Sequence, residues 1–500
     1  MATLPSTVRP DESVGRLIRL FNLQKEAFRS DPIPSLEERR DHIRGLSAGV
    51  MRHRRRIKDA LHADFVWHPE GVADLIEVLG IAARAEYVIG ELPRWMSADH
   101  RSIDPALWGS ATASVRYQPK GVIGNMVPWN FPFDIAFGPL IEMLAAGNRV
   151  ILKPSDLGPA SADVIAKITN ESFAEDRVAV ATGGLELAQR FPTLAWDHLM
   201  FTGSPVVGRQ VMSAAARNLV PVTLELGGKC PAIVSEDAVN MATVANIVGM
   251  KLLKSGQVCV APDHVYIPRK LLDRFVTLVD EHVAAELPQY TASADSAGII
   301  TERHFDRLLS LINEARNAGC VIVQPERAAA PDREQRRLPL TLILDPNPAL
   351  RVMTDEIFGP VLPIIPYDTL DEVISRVNGG ERPLALYVYA EDPKFSDHAL
   401  SRTTSGGACV NLSLLHGAIA TLPFGGIGNS GMGRHHGIEG FREFSNPRGV
   451  FIRGEGGAID AFNPPYRTLE SIVSASYGQI EPAFSEVRVA SAVRGIEGGA

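Results

Sequence analysis

Apolar and polar positions follow two different rhythms along the chain. Over residues 11–95 the apolar positions recur at helical spacing, β-branched runs are few, and the breakers Asp31-Pro32-Ile33-Pro34 and His68-Pro69-Glu70-Gly71 divide the stretch into separate helices. The rhythm then shortens. Residues 114–118, 121–127, 149–153, 178–181 and 198–201 are brief apolar runs, with helical patterns over 133–146 and 159–171 between them. Short apolar strands alternating with helices predict a parallel sheet covered on both faces.

A second alternating series follows Gly227. It predicts strands at 232–234, 264–267 and 320–323, and helices over 240–253, 271–287 and 302–317. Residues 324–339, with Pro325, Pro331, Pro339 and many charges, read as an exposed excursion inside this second unit. Beyond Arg453, Gly454, Gly456 and Gly457 and then Asn463-Pro464-Pro465-Tyr466 lead into a polar tail expected to be peripheral and partly disordered. No internal repeat of fixed period interrupts this order.

Composition narrows the function classes. A chain of 500 residues, 45% of them hydrophobic, has room for a sizeable core and for about three domains. A net charge of −8 argues against nucleic acid as a main partner, because phosphate binding needs a basic face. No run of about 18 apolar residues is present to span a membrane. The first residues carry acids where a signal peptide carries a basic region and an apolar core, so a cytoplasmic protein is expected. The four cysteines, Cys230, Cys259, Cys320 and Cys409, form no CxxC pair, which fits a reducing compartment and no zinc site. The basic run at 51–58 reads as a solvated helix face.

A few segments stand out chemically. Phe201-Thr-Gly-Ser-Pro-Val-Val-Gly208 follows a predicted strand and opens a helix at about Pro205. Its glycines let backbone approach a ligand, and a helix start with Ser204 at the cap suits a pyrophosphate. The spacing matches neither the dinucleotide fingerprint nor a P-loop, so a plain strand-to-helix turn stays open. Thr223-Leu-Glu-Leu-Gly-Gly-Lys229 sets Glu225 in an apolar strand, where burial would raise a carboxyl pKa toward that of a general base. Ser255-Gly-Gln-Val-Cys-Val-Ala261 holds Cys259 three residues after Gly256, a glycine expected to let backbone come close to a bound group; taken alone the cysteine reads as a small buried hydrophobe. Val127-Pro-Trp-Asn-Phe-Pro132 fixes Asn130 between prolines and aromatics, either as a held amide donor or as a simple turn asparagine. Lys153-Pro-Ser-Asp156, Glu356-Ile-Phe-Gly-Pro360 and Leu422-Pro-Phe-Gly-Gly-Ile-Gly428 complete the set.

In this order VPWNFP, KPSD, FTGSPVVG, LELGGKCP, GQVCVAP, EIFGP and LPFGGIGNSGMG resemble the motifs of the NAD(P)-dependent aldehyde dehydrogenase superfamily, over residues 17–448. Within it the chain looks most like the coniferyl aldehyde dehydrogenases, through Ala63-Asp-Phe65, Arg94-Trp-Met96, Val258-Cys-Val-Ala-Pro-Asp263 and Ile300-Thr-Glu-Arg-His304, features that recur in medium- and long-chain relatives. The resemblance implies an α/β fold with a Rossmann-like NAD-binding domain (1–98, 119–226 and 420–445) and an α/β catalytic domain (227–419). A small β bridging and oligomerisation flap (99–118 and 446–466) and a peripheral tail (467–500) complete it.

It also implies a mechanism. Cys259 would attack the aldehyde to give a thiohemiacetal and then a thioester, with Asn130 and the Cys259 N–H holding the oxyanion and Glu225 activating water. Trp129, Gly203, Ser204, Gly208, Glu356 and Phe358 match cofactor positions, and Lys153 and Asp156 match those at the adenosine ribose. An acid at 156 accepts from a ribose 2′-hydroxyl and repels a 2′-phosphate, which favours NAD and leaves NADP open. The expected partners are a small aldehyde and a second copy, since the flap of relatives joins a neighbouring subunit's sheet.

Two positions depart from the pattern. Cys230 stands where relatives carry serine and reads as a packing residue. Arg434-His-His-Gly437 has a histidine where relatives often have an aromatic; neighbouring side chains are expected to point to opposite sides, which argues against a metal pair. Of the rival readings, Cys259, Glu225, Asn130 and Glu356 together oppose a catalytically silent relative, and Glu225 opposes CoA resolving the thioester. Arg467, Glu470, Glu481, Glu486 and Arg488 oppose a membrane anchor in the tail. A coniferyl-type aromatic aldehyde is the leading substrate, a medium- or long-chain aliphatic aldehyde the alternative.

Overall fold

The computed structural model describes residues 10–485, which fall into two units: the chain up to Met96 with Tyr117–Asn446, and Ser97–Arg116 with the chain from Pro447 onward. Residues 1–9, most of the segment that argues against export, lie outside the described residues, as do Glu486 and Arg488 of the tail.

The first unit holds two sheets. One has six strands in the order Gly431–Met432, Val222–Leu226, His198–Gly203, Val122–Met126, Arg149–Lys153 and Val178–Val180. All pair in parallel except Gly431–Met432, which runs antiparallel beside Val222–Leu226 and sets Gly431 opposite Glu225. Val122–Met126 and Arg149–Lys153 are buried at every position, as strands covered on both faces must be. The helices Pro132–Ala145 and Pro159–Ser172 pack with Leu36–Arg52 and Ile81–Met96 over one face, around Phe137, Leu140, Ile165 and Ile168.

The second sheet has seven strands, in the order Val321–Val323, Thr341–Leu344, Val361–Tyr367, His264–Pro268, Pro231–Val234, Ala385–Tyr389 and Gly407–Val410. Only the edge strand Val321–Val323 is antiparallel.

The six-stranded sheet reverses its winding between Val122–Met126 and His198–Gly203: later strands 149 and 178 stack to one side, 198 and 222 to the other. Such a reversal opens a crevice beyond the carboxyl ends of the two central strands. Those ends lead directly into Trp129-Asn130 and Gly203-Ser204.

The basic run at 51–58 is solvated as expected at Arg52, Arg54, Arg55 and Arg56, while its last residue turns inward. Lys58 is buried and pairs with Glu70 at 2.8 Å and Asp74 at 3.4 Å, and Arg54 meets Asp74 at 2.5 Å, so the run clamps the helix Arg54–Phe65 to the helix Glu70–Asp74. Asp99–Arg101, Thr112–Pro119 and Ser445–Ile452, most of whose residues belong to the second unit, form a three-stranded sheet. Of the tail expected to be partly disordered, Arg467–Ser485 forms a helix, in which Leu469, Ile472 and Val473 keep helical spacing, and the rest lies outside the described residues. Among the described residues no helix is long and apolar enough to cross a membrane.

Candidate active site

The crevice is a cavity of about 1970 Å³ whose walls include Trp129, Asn130, Gly203, Ser204, Glu225, Cys259, Glu356 and Phe358. Eight of the eleven residues singled out from the sequence thus face one space, drawn from strands of the six-stranded sheet and from loops. Gly208, Lys153 and Asp156 do not line it. Gly208 packs against Leu226, where an added Cβ would come within 2.6 Å of a methyl carbon. Lys153 is buried at the end of its strand, 3.8 Å from the half-exposed Asp156 carboxylate.

Asn130 is buried, and its Nδ2 donates to the Gln257 carbonyl at 3.3 Å. An amide nitrogen has two hydrogens, so one donor remains for a ligand in the cavity. Gln257 is itself locked: its Nε2 donates to the carbonyls of Lys254 and Gly298 at 3.1 and 3.0 Å, and its Oε1 accepts from Ile300 N at 3.0 Å.

Cys259 lies on the loop after the helix Met241–Leu252 and is half-buried. Lys254 and Ser255 take φ of 50° and 53°, a conformation costly for side-chain-bearing residues unless held. It is held by burial of Lys254 between the rings of Phe65 and Phe131, at 4.5 and 4.6 Å, with Nζ 3.4 Å from Glu77 Oε1. Glu77 Oε2 accepts the N–H groups of Phe133 and Asp134, both at 2.9 Å. One buried ion pair therefore ties the Cys259 loop to the Asn130 loop. Gly256, expected to let backbone approach a ligand, does something else: with φ 75°, it lets the loop pass against the Gly359 carbonyl, which a Cβ would strike.

Burial pushes the Cys259 thiol up to about 12, with Glu356 and Glu225 adding to the effect. Glu225 is buried, neither of its oxygens has a hydrogen-bond partner among the described residues, and burial raises its pKa well above the carboxylate range, against the pull of Arg434. Glu356 is raised to about 8, first by burial and then by Asp263. Its position is set by a staple beneath it. Lys229 pairs with Asp263 and donates to the carbonyls of Val352 and Asp355, both at 2.9 Å, while Asp263 Oδ2 accepts from Ile357 N at 3.0 Å. Gly227 leaves the space that the Glu356 carboxylate fills.

The walls fit a dinucleotide. Thr202 Oγ1 and Glu356 Oε1 are buried and have no partner among the described residues, as befits groups that meet a ligand's hydroxyls. Ser204 caps the helix Pro205–Ala216, accepting from Val207 N at 3.4 Å, and the N–H groups at such a helix start favour a phosphate. Phe358, at φ 51°, stands edge-on to Trp129 at 5.4 Å.

Cys230 is fully buried; Ala385 N donates to its Sγ at 3.3 Å and the thiol faces the Cys259 carbonyl at 3.5 Å. The rings of His435 and His436 do not diverge as expected but meet edge to face at 4.6 Å, because His436 has φ 77° and breaks the alternation of an extended strand. Among the described residues no group of three His, Cys, Asp or Glu could hold a metal ion. The sequence reading missed Glu77, Lys254, Gln257 and Lys229, whose hydrogen bonds and ion pairs fix the loops that carry Asn130, Cys259 and Glu356. The one available signal was a cluster of polar residues amid apolar ones around Cys259.

Comparison with known proteins is consistent with this geometry. Residues 21–450 match the model of the aldehyde dehydrogenase family. A probable coniferyl aldehyde dehydrogenase of Caulobacter vibrioides is 40% identical over 92% of this chain and 95% of its own, and a coniferyl aldehyde dehydrogenase of a Pseudomonas species is 39% identical over 88% and 92%. Among solved structures, the substrate-bound state of Staphylococcus aureus AldH has a TM-score of 0.85 at 32% identity, covering 92% of this chain and 99% of that one. A Mycobacterium tuberculosis aldehyde dehydrogenase complexed with NAD+ has a TM-score of 0.78 at 27% identity, covering 89% and 90%.

Proposed function

The chain belongs to the aldehyde dehydrogenase family and is an NAD(P)-dependent enzyme of that kind, and on that premise we propose that it oxidises a coniferyl-type aromatic aldehyde with NAD, using Cys259, Asn130 and Glu225. The observation that carries the residue assignment is their convergence, with Glu356, on one cavity. The substrate reading draws on the relatives' names and on a wall of rings in the same cavity: Phe424 stacks on His436 at 5.2 Å and 24°, and meets His435 at 5.3 Å. Flat faces of this kind suit a planar conjugated aldehyde better than a flexible alkyl chain.

The steps follow from the residues. Cys259 Sγ attacks the carbonyl carbon once its proton has left, and Glu225, raised by burial, is the adjacent base able to take it. The oxyanion is held by the free Asn130 Nδ2 hydrogen and the Cys259 N–H. When bound, the oxidised nicotinamide would supply the acceptor for the hydride that the thiohemiacetal carbon must lose to become the Cys259 thioester. Once Glu225 has passed the thiol proton to solvent, a water attacks the thioester carbon, Glu225 takes its proton, and the C–S bond breaks to release the carboxylic acid and leave Cys259 as a thiolate. Gly203, Ser204, Thr202, Trp129, Glu356 and Phe358 would hold the cofactor. Lys153 and Asp156, beyond the cavity wall, are proposed at the ribose end, where the Asp156 carboxylate favours a free 2′-hydroxyl.

The test is NADH or NADPH formation with coniferyl aldehyde, benzaldehyde and octanal. Coniferyl aldehyde with NAD is expected to give the highest kcat/KM; octanal ahead by tenfold or more sinks the aromatic reading, and equal rates with NADP sink the role given to Asp156. A homodimer is proposed on the eight-residue edge strand Ser445–Ile452, which is free to extend the sheet of a second copy. Sedimentation equilibrium should give twice 54.1 kDa, and a single-chain mass at micromolar concentration would remove that proposal.

A further inference from the structure

Behind Glu225 stands a buried chain of polar side chains that the mechanism above does not use. Reciprocal backbone hydrogen bonds to Phe424, at 2.9 and 2.8 Å, pin the His435 main chain beside the cavity. Its imidazole lies between two charged groups. On one side Arg84 Nη2 is 3.2 Å from Nδ1, and Arg84 is held in turn by Glu142 Oε1, at 2.8 Å from Nε and 2.6 Å from Nη2. Glu142 also accepts the N–H groups of His436 and Gly437, at 3.2 and 3.0 Å, so its own position is fixed. On the other side His435 Nε2 lies 3.8 Å from Glu225 Oε1. All four side chains are buried.

The tautomer follows from valence. A guanidinium only donates, so Nδ1 must accept, and the proton of a neutral ring then sits on Nε2, the atom that faces Glu225. Burial, then the positive charge of Arg84, keeps the ring neutral, well below the usual histidine range. The other groups that act on Glu225 are Arg434, which lowers its pKa, Glu443, which raises it, and the thiol of Cys259.

We propose that His435 is a positioning residue for Glu225: its Nε2–H, aimed by Arg84 and Glu142, holds the ionised carboxylate while it removes a proton from the water that hydrolyses the thioester. The inference rests on Glu225 being that base. In the step, a water O–H bond breaks and its proton passes to a Glu225 oxygen, the water oxygen bonds to the thioester carbon, and the C–S bond breaks to leave Cys259 as a thiolate that is protonated afterwards. His435 neither gains nor loses a proton, since Arg84 occupies its basic nitrogen. The 3.8 Å separation is longer than a hydrogen bond and shortens when Glu225 turns toward the donor as a full anion.

The test compares kcat-against-pH profiles of the full-length enzyme with those of His435→Phe and His435→Tyr. The two variants fill nearly the same space and differ by one hydroxyl donor. Losing the donor should move the acid-side midpoint of kcat upward by about one pH unit and cut kcat at pH 7 by up to about tenfold, with KM within about twofold of the parent. His435→Tyr should bring the midpoint most of the way back. Midpoints in both variants equal to the parent's would overturn the inference, since a packing role moves no midpoint. His435→Leu replaces the Phe variant if the latter does not fold. Glu225→Gln keeps the two readings apart: undiminished steady turnover there removes the base assignment, whereas diminished turnover there with unmoved His435 midpoints removes only the role of His435.

Discussion

Cys259→Ala is expected to cut aldehyde turnover by at least about 10⁴-fold, because no second nucleophile shares its place and the remaining oxyanion donors cannot form a covalent intermediate. NADH formation in single- and multiple-turnover experiments measures the loss, and isothermal titration with NAD should show cofactor binding retained, since the thiol is not among the proposed cofactor ligands. Turnover within tenfold of the parent would end the assignment. The raised thiol adds a second readout. With a pKa of about 12, only roughly one thiol in 10⁵ is ionised at pH 7. Alkylation of the enzyme without substrate or cofactor should therefore be slow at neutral pH and speed up about tenfold per pH unit. Asn130→Ala, by contrast, removes one of two oxyanion donors and should slow turnover by about 10²–10³ without abolishing it. A loss as deep as that of Cys259→Ala would mean that Asn130 also supports the loop, through its bond to the Gln257 carbonyl.

Why some of this was legible in the sequence and some was not has a physical reason. Strands such as Val122–Met126 and Arg149–Lys153 are buried on both faces, so they read as short, mainly apolar runs without pleat alternation. Asn130 and Glu225 could be singled out because each is a polar group in an apolar setting, and such groups are costly to bury without a role, whereas Cys259, alone a small buried hydrophobe, and Glu356 stood out through the resemblance of their motifs. The supports were invisible for the opposite reason. Arg84 and His435 are 351 positions apart, Lys254 and Glu77 are 177 apart, and nothing local in either sequence segment demands the other partner. Gly256 shows a subtler failure: the need for a small residue was legible, while its cause, the Gly359 carbonyl, belongs to a loop about a hundred residues further on. Pleat alternation likewise predicts diverging rings at 435 and 436 only for an extended backbone, and His436 is not extended.

Glu225→Gln separates the two halves of the reaction. The amide is nearly isosteric and cannot take a proton, so hydride transfer should still proceed once and hydrolysis should stall. The expected trace is an initial burst of about one NADH per subunit followed by steady turnover slowed by about 10²–10⁴-fold. The pH dependence sharpens this. Only the ionised carboxylate is a base, and burial raises the pKa of Glu225, so the parent's steady rate should climb with pH through a midpoint well above that of an ordinary glutamate. In the Gln variant that limb should vanish, leaving any dependence to the thiol. Steady turnover equal to the parent's would place the water-activating group elsewhere, and Glu356, raised to about 8 in the same cavity, would be the next carboxylate to test. Loss of the burst along with steady turnover would carry a different meaning. It would show that the proton of Cys259 leaves by way of Glu225, as the thiol pKa of about 12 requires of some neighbouring base, so that one carboxylate serves both acylation and hydrolysis.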